Sequence, residues 1–294
     1  MEAKTSLHER SLAEDLAPLN VPAAARDTNT ADPMLPDAYR LAFADPEFMA
    51  RREARGIRFQ LELLKPDLGQ HAHGIEHTVV VYGSARFVDA ATAQERLTQA
   101  QALGDHAQIR LAERDVRNAV RYENARAFAR LVAEHSQRQP KEQRIYICTG
   151  GGPGIMEAAN RGAYEAGAAT VGLNILLPHE QKGNPYITPE LCFKFHYFAL
   201  RKMHFMMRAK ALVAFPGGFG TMDELFEVLT LVQTTKVKPV PIILFDSKFW
   251  KQLFNFDLLV AEGMISPQDM ELFHFVDTPQ DAWRIITDFY QLPT

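Results

Sequence analysis

A glycine-rich turn with a carboxylate close behind it can hold a phosphate and act on the sugar that carries it. Residues 216–224, Pro-Gly-Gly-Phe-Gly-Thr-Met-Asp-Glu, have that form. They follow the apolar run Ala211–Phe215, so the pattern reads as buried strand, turn, helix. Gly217, Gly218 and Gly220 permit positive φ and let a ligand approach the main chain closely. The helix that opens behind them presents free N–H groups and a partial positive charge, which together make an anion site. Glu224 is expected within the first turn of that helix, next to the anion. A second reading fits the same residues: Thr221-Met222-Asp223-Glu224 has the form of a capping box, with Thr221 as the cap. Pro216, Gly217 and Gly218 favour the anion site, because a simple cap needs no such density of glycine.

The geometry recurs twice. A strand over Arg144–Cys148 is followed by Thr149 and by Gly150, Gly151, Gly152, Pro153 and Gly154, and residues 155–162 then take helical spacing. Ile155 stands where a dinucleotide fingerprint requires glycine, and no Gly-Lys-Ser/Thr follows. No acidic residue closes the next strand, Thr170–Ile175, to hold a ribose, so NAD and ATP are both disfavoured. A tight connection without any ligand also fits this turn. The third case is Gly83-Ser84-Ala85-Arg86 after the strand His77–Tyr82. Ser84 there suits an N-cap, and Arg86 suits either a phosphate fork or a solvated surface.

Arg201 and Lys202 fall in Tyr197–Arg208, a stretch carrying Met203, Phe205, Met206 and Met207. The charged pair is either the wet face of a core helix or a pair of cations above the sheet edge where the glycine turns open. His196 and His204 lack a carboxylate at metal-ligand spacing, so no metal is expected.

Pro-Gly-Gly-x-Gly-Thr-x-x-Glu, an upstream Gly-Gly-Gly-x-Gly-Ile-Met turn and an intervening Arg-Lys pair resemble the LOG family, whose members are often labelled lysine decarboxylases. The resemblance covers about Glu76 to Asp277. It implies a phosphoribohydrolase that cleaves nucleoside 5′-monophosphates, cytokinin ribotides and AMP among them, into free base and ribose 5-phosphate without a cofactor. It also implies that Glu224 and Arg201 are the catalytic pair. Gly83, Ser84, Gly150, Gly151, Gly152, Gly154, Lys202, Pro216, Gly217, Gly218, Gly220 and Thr221 would line the substrate and phosphate site. Two departures bear on which base is taken: Phe198-Ala199 stands where many cytokinin-activating members carry Met-His, and Glu157 replaces a common glycine. A non-catalytic carrier of a phosphorylated cofactor, such as molybdenum cofactor, is the alternative for this fold. Decarboxylation is rejected, since nothing supplies a pyridoxal phosphate lysine with its partners.

The positioning elements follow from the pattern. Strands at 77–82, 144–148, 170–175, 191–195, 211–215, 240–245 and 273–276 alternate with helical segments, which predicts an α/β, Rossmann-like, doubly wound parallel sheet. Residues 90–138 read as two helices meeting near Gly104. Residues 1–75 read as a loose arm over Pro22–Asp37 followed by accessory helices, in which Leu41, Phe43, Phe48, Met49, Phe59, Leu61 and Leu64 are spaced to cover other helices. Residues 76–294 form the catalytic domain. Apolar helical surface beyond what one sheet needs predicts at least a homodimer.

Composition sets limits on partners and place. At 294 residues, 47% hydrophobic and net charge −4, the chain can bury a large core, and nothing predicts a nucleic-acid-binding face. Met1–Leu35 is polar and broken by charges, so neither a signal peptide nor a membrane segment is expected, and a cytoplasmic location is. Cys148 and Cys192 lie in apolar runs and are expected as buried, inert thiols.

Overall fold

Thr78, Val79, Val80 and Val81 are β-branched and favour the extended pleat. In the computed structural model, which describes residues 39–177 and 182–292, they form the central strand β1 (His77–Tyr82) of a seven-stranded sheet. The expected arm over Pro22–Asp37 and the polar segment Met1–Leu35 lie outside the described residues. The strands are β2 (Ile145–Thr149), β3 (Thr170–Ile175), β4 (Cys192–Phe195), β5 (Ala209–Ala214), β6 (Ile242–Phe245) and β7 (Phe273–Val276). They run parallel in the order β4-β3-β2-β1-β5-β6-β7. This is the α/β, doubly wound arrangement expected from the alternation of strands and helices.

The chain divides into two units, Met1–Leu61 and Glu62–Thr294. Residues 62–75, grouped with the accessory segment in the sequence reading, therefore belong to the larger unit. The described part of the first unit contains α1 (Pro46–Ala50), capped by Asp45 through the Phe48 N–H at 3.0 Å, and the start of α2 (Arg55–Ala72). Of the apolar side chains expected to cover other helices, Leu41, Phe43, Phe48, Phe59 and Leu61 are exposed.

In the larger unit, side chains alternate across each strand into two cores. Val80 and Tyr82 join Leu212, Ala214, Leu200, Phe205, Leu225 and Trp250 on one face. Val79 and Val81 join Phe128, Ala158, Val213 and Ile286 on the other. The first face is covered by α6 (Phe198–Met207), α7 (Phe219–Gln233), α8 (Ser247–Leu253) and α9 (Phe256–Ala261). The second is covered by α4 (His106–Gln137), α5 (Ile155–Glu165) and α10 (Pro279–Tyr290). Before α4 lies α3 (Ala90–Leu103), and the break expected near Gly104 is present. Gly104 ends α3 at φ 68°, and Asp105 then caps α4 through the N–H groups of Ala107 and Gln108.

Cys192 departs from expectation. It sits on β4, the sheet edge, and is exposed, whereas Cys148 on interior β2 is buried. Burial raises the Cys148 thiol far above its ordinary pKa, which leaves it unreactive. Among the described residues no helix is long and apolar enough to cross a membrane.

Candidate active site

Strand order reverses between β1 and β5, because the chain winds outward from β1 to β4 and then returns to β1's other side. Connections leaving such neighbours diverge and open a crevice beyond their carboxyl ends. The turns at Gly83 and Gly217 leave these two strands, and the Gly150 turn leaves the adjacent β2. All three meet through main-chain hydrogen bonds. The Ser84 N–H donates to the Pro216 carbonyl at 3.0 Å, and the Ile155 N–H donates to the Ser84 carbonyl at 3.0 Å. Ser84 is thus a junction and not the N-cap it resembled: Asp89 caps α3, and the Ser84 hydroxyl only accepts from the Arg86 N–H.

Gly154 makes this meeting sterically feasible. It takes φ 72°, and a Cβ there would overlap the Ser84 carbonyl oxygen. Gly154→Ala is therefore expected to cost at least about 1–2 kcal/mol from the left-handed backbone alone. For a unit of this size that lowers Tm by several degrees in a thermal melt. An unchanged Tm would contradict the close approach.

Helix α7 starts at Phe219, with Gly218 as N-cap and no side-chain cap. This overturns the capping box, because Thr221 lies inside the helix and Glu224 in its second turn, past the position expected for it. The helix starts early because Gly217 and Gly218 complete the turn, and Thr221 is buried against Gly217, where a Cβ would overlap its hydroxyl. The first intrahelical bond is Met222 N–H to Gly218 carbonyl at 3.1 Å. The N–H groups of Phe219, Gly220 and Thr221 find no acceptor among the described residues. No acidic residue lies in the first turn of α7, whereas Glu157 lies in that of α5, where its carboxylate accepts from the Tyr122 hydroxyl at 3.0 Å. Of the two helix starts, α7 is the one without an internal anion.

Glu224 meets Arg201 across the gap between α7 and α6, with Nη2 to Oε1 at 2.5 Å and both side chains about nine-tenths buried. The guanidinium lies over the rings of Phe198 and Phe205, 5.5 and 5.3 Å from their centroids. It also reaches the second turn, since a Cβ on Gly150 would stand 3.6 Å from Nη1. Its Nε is buried without a hydrogen-bond partner among the described residues, an open donor at the centre of the site. Burial raises the Glu224 carboxyl to about 7, against the opposing pull of Arg201 and with help from the charge of Asp223. Tyr82 ends β1 on the same face, its phenol pushed up by burial and by Glu224. Lys202 does not join this group: its ammonium pairs with Asp223 at 3.2 Å and Glu227 at 2.8 Å on the flank of α7.

The second turn is held by Asn160 and Asn184, which the sequence reading did not single out. Buried Asn160 accepts from the Thr149 hydroxyl at 2.7 Å and from Asn184 Nδ2 at 2.9 Å, and Asn184 also donates to the Gly152 carbonyl at 3.1 Å. The Gly151 N–H is consumed by Thr149 Oγ1 at 2.9 Å. Asn160 had left a signal, an amide on the alanine-rich apolar face of α5.

Comparison with known proteins bears on this arrangement. A family model described as possible lysine decarboxylase matches residues 156–286. A cytokinin riboside 5′-monophosphate phosphoribohydrolase of Arabidopsis thaliana is 33% identical over 152 residues, covering 50% of this chain and 69% of that one. A probable enzyme of the same name from Oryza sativa subsp. japonica is 30% identical over 172 residues, covering 57% and 69%. The chain belongs to the LOG family. Among solved structures, the LOG-family chain is similar to a molybdenum cofactor binding protein of Rippkaea orientalis, at 16% identity and TM-score 0.42 over 72% of this chain and 95% of that one. It is also similar to the molybdenum cofactor carrier protein of Chlamydomonas reinhardtii, at 18% identity and TM-score 0.42 over 74% and 98%. Superpositions this loose do not discriminate between ligands.

Proposed function

We propose that this LOG-family chain hydrolyses the N-glycosidic bond of a nucleoside 5′-monophosphate, AMP or a cytokinin ribotide, to free base and ribose 5-phosphate. The observation that carries the reading is the buried Arg201–Glu224 pair, with its open Nε, at the crevice where the glycine turns meet. The names of the relatives agree with it.

In such a cleavage the C1′–N bond breaks ahead of full attack by water, and positive charge spreads over the ribose ring. Ionised Glu224 stabilises that charge and orients the water, whose proton it can take as the new C–O bond forms at C1′. The bonding pair leaves with the base, which takes up a proton from solvent, and Glu224 returns the proton of the water to solvent, so that one water is consumed per free base released. The unpaired N–H groups of Phe219, Gly220 and Thr221 suit the 5′-phosphate, as charge-assisted donors at a helix start. Arg201 neutralises phosphate or positions the sugar while it holds the carboxylate. A carrier would need the phosphate seat but not the carboxylate. Keeping Glu224 buried at the expense of its own ionisation is intelligible for a catalyst and idle in a carrier.

The raised carboxyl gives a pH dependence of known sign. Catalysis needs the ionised form, and protonation on descending through about 7 removes it. The kcat/KM is therefore expected to fall about tenfold per pH unit below that point and to level off above it. A profile flat from about pH 5.5 to about pH 8 would contradict this role. A panel of nucleoside 5′-monophosphates, with chromatographic detection of released base, tests the reaction itself. Tight binding of the panel without cleavage would favour the carrier.

A further inference from the structure

We propose that Glu62, on α2, is a positioning residue for Arg201: its carboxylate fills the amino end of α6 and fixes the helix on which the guanidinium meets Glu224. The proposal rests on the role assigned to Arg201 above and extends the site to a helix that the sequence reading left as accessory.

Helix α6 supplies no side-chain cap of its own, and Tyr197 occupies the N-cap position without one. The cap comes from far away in sequence. Glu62 Oε1 accepts from the His196 N–H at 2.9 Å and Oε2 from the Tyr197 N–H at 3.1 Å. The Tyr197 carbonyl in turn accepts from the N–H of Arg201 itself at 3.2 Å. One residue thus links the Glu62 carboxylate to the main chain of Arg201. A full charge on the free donors of a helix start is also favoured by the helix dipole.

The Glu62 main chain contributes a second hold, and proline is the reason. Pro66 lies inside α2 and has no N–H, so the Glu62 carbonyl lacks its helical partner. His204 Nε2 lies 3.2 Å from that carbonyl, which fixes the Nε2–H tautomer there. His204 is one turn beyond Arg201 on the same helix and is buried. At the far end of α6, Arg208 donates to the Asp67 carboxylate at 2.6 Å and to the Ile75 carbonyl at 2.8 Å. Residues 62–75 therefore grip α6 before, beside and after Arg201.

Such a grip matters because the Arg201 side chain is held by one ion pair, to the Glu224 carboxylate it must serve. Its Nε is unpartnered among the described residues, and the Phe198 and Phe205 rings contact the guanidinium without hydrogen-bonding it. A displacement of about 1 Å at a catalytic group can cost about a hundredfold in rate. Glu62→Ala removes both acceptors, Glu62→Asp keeps the charge but withdraws it by a methylene, and Glu62→Gln keeps one carbonyl oxygen and loses the charge.

The test joins steady-state kinetics to NMR of arginine-labelled protein, with the Arg201 Nε–H resonance assigned by its loss in Arg201→Lys. The resonance is informative because ring currents of Phe198 and Phe205 report small movements. Glu62→Ala is expected to lower kcat by about tenfold to a hundredfold with KM changed less than about threefold. Glu62→Asp and Glu62→Gln should fall between, and the Arg201 Nε–H signal should shift or broaden in each. Unchanged kcat and an unchanged resonance in the folded variants would overturn the proposal, even if Tm falls, because that is the signature of a structural cap alone. Where Glu62→Ala does not fold, the Asp and Gln variants decide. If the wild type cleaves no monophosphate, the functional reading fails by itself, and the resonance still decides for Glu62.

Discussion

Glu224→Gln is expected to lower turnover by two or more orders of magnitude, on the order of 3 kcal/mol of transition-state stabilisation. The amide keeps the shape of the side chain and an oxygen for the Arg201 Nη2–H, so the fold should survive. What disappears is the charge opposite the developing oxocarbenium. The capping explanation, under which the same substitution would have touched only stability, fails on geometry, since α7 begins at Phe219 and Glu224 caps nothing. Steady-state rates with a purine monophosphate, beside a thermal melt, check this. Retention of most activity by a well-folded Glu224→Gln would remove Glu224 from the chemistry.

The second large effect concerns the 5′-phosphate. Charge-assisted bonds to an anion contribute about 1.5–3 kcal/mol each. Two of the three open N–H groups at the start of α7, fully expressed in the transition state, favour a monophosphate over its nucleoside by about two to four orders of magnitude in kcat/KM. Diphosphates and triphosphates should be poorer, because Lys202 is taken up by Asp223 and Glu227 and is not free to neutralise further charge. AMP against adenosine, under identical conditions, measures the effect. Comparable values would refute the phosphate role of the Phe219, Gly220 and Thr221 N–H groups at the start of α7.

What could be read from the sequence was local. The β-branched run at His77–Tyr82, the glycines behind three strands and the break at Gly104 each act through their own backbone or through near neighbours, so residue type and spacing reveal them. The parallel sheet followed from alternation, and convergence of the turns followed from the rule that ligands gather beyond strand ends. Tertiary partners were not legible. Glu62 acts on residues more than a hundred positions away, and Asn184 closes on Asn160 and Gly152 only when the sheet is assembled. Ser84 looks like a cap because a serine after a glycine usually is one, yet its main chain is what joins the turns. Cys192 has an apolar neighbourhood in sequence but falls on an edge strand, where alternate side chains face solvent.

The central claim is that the site breaks a nucleotide at its glycosidic bond. Incubation of the purified chain with AMP, followed by 1H and 31P NMR, observes both products in one sample. The account predicts adenine and ribose 5-phosphate in equal amounts, with the phosphate ester intact. AMP left whole alongside every other monophosphate, or adenosine and inorganic phosphate as products, would contradict it.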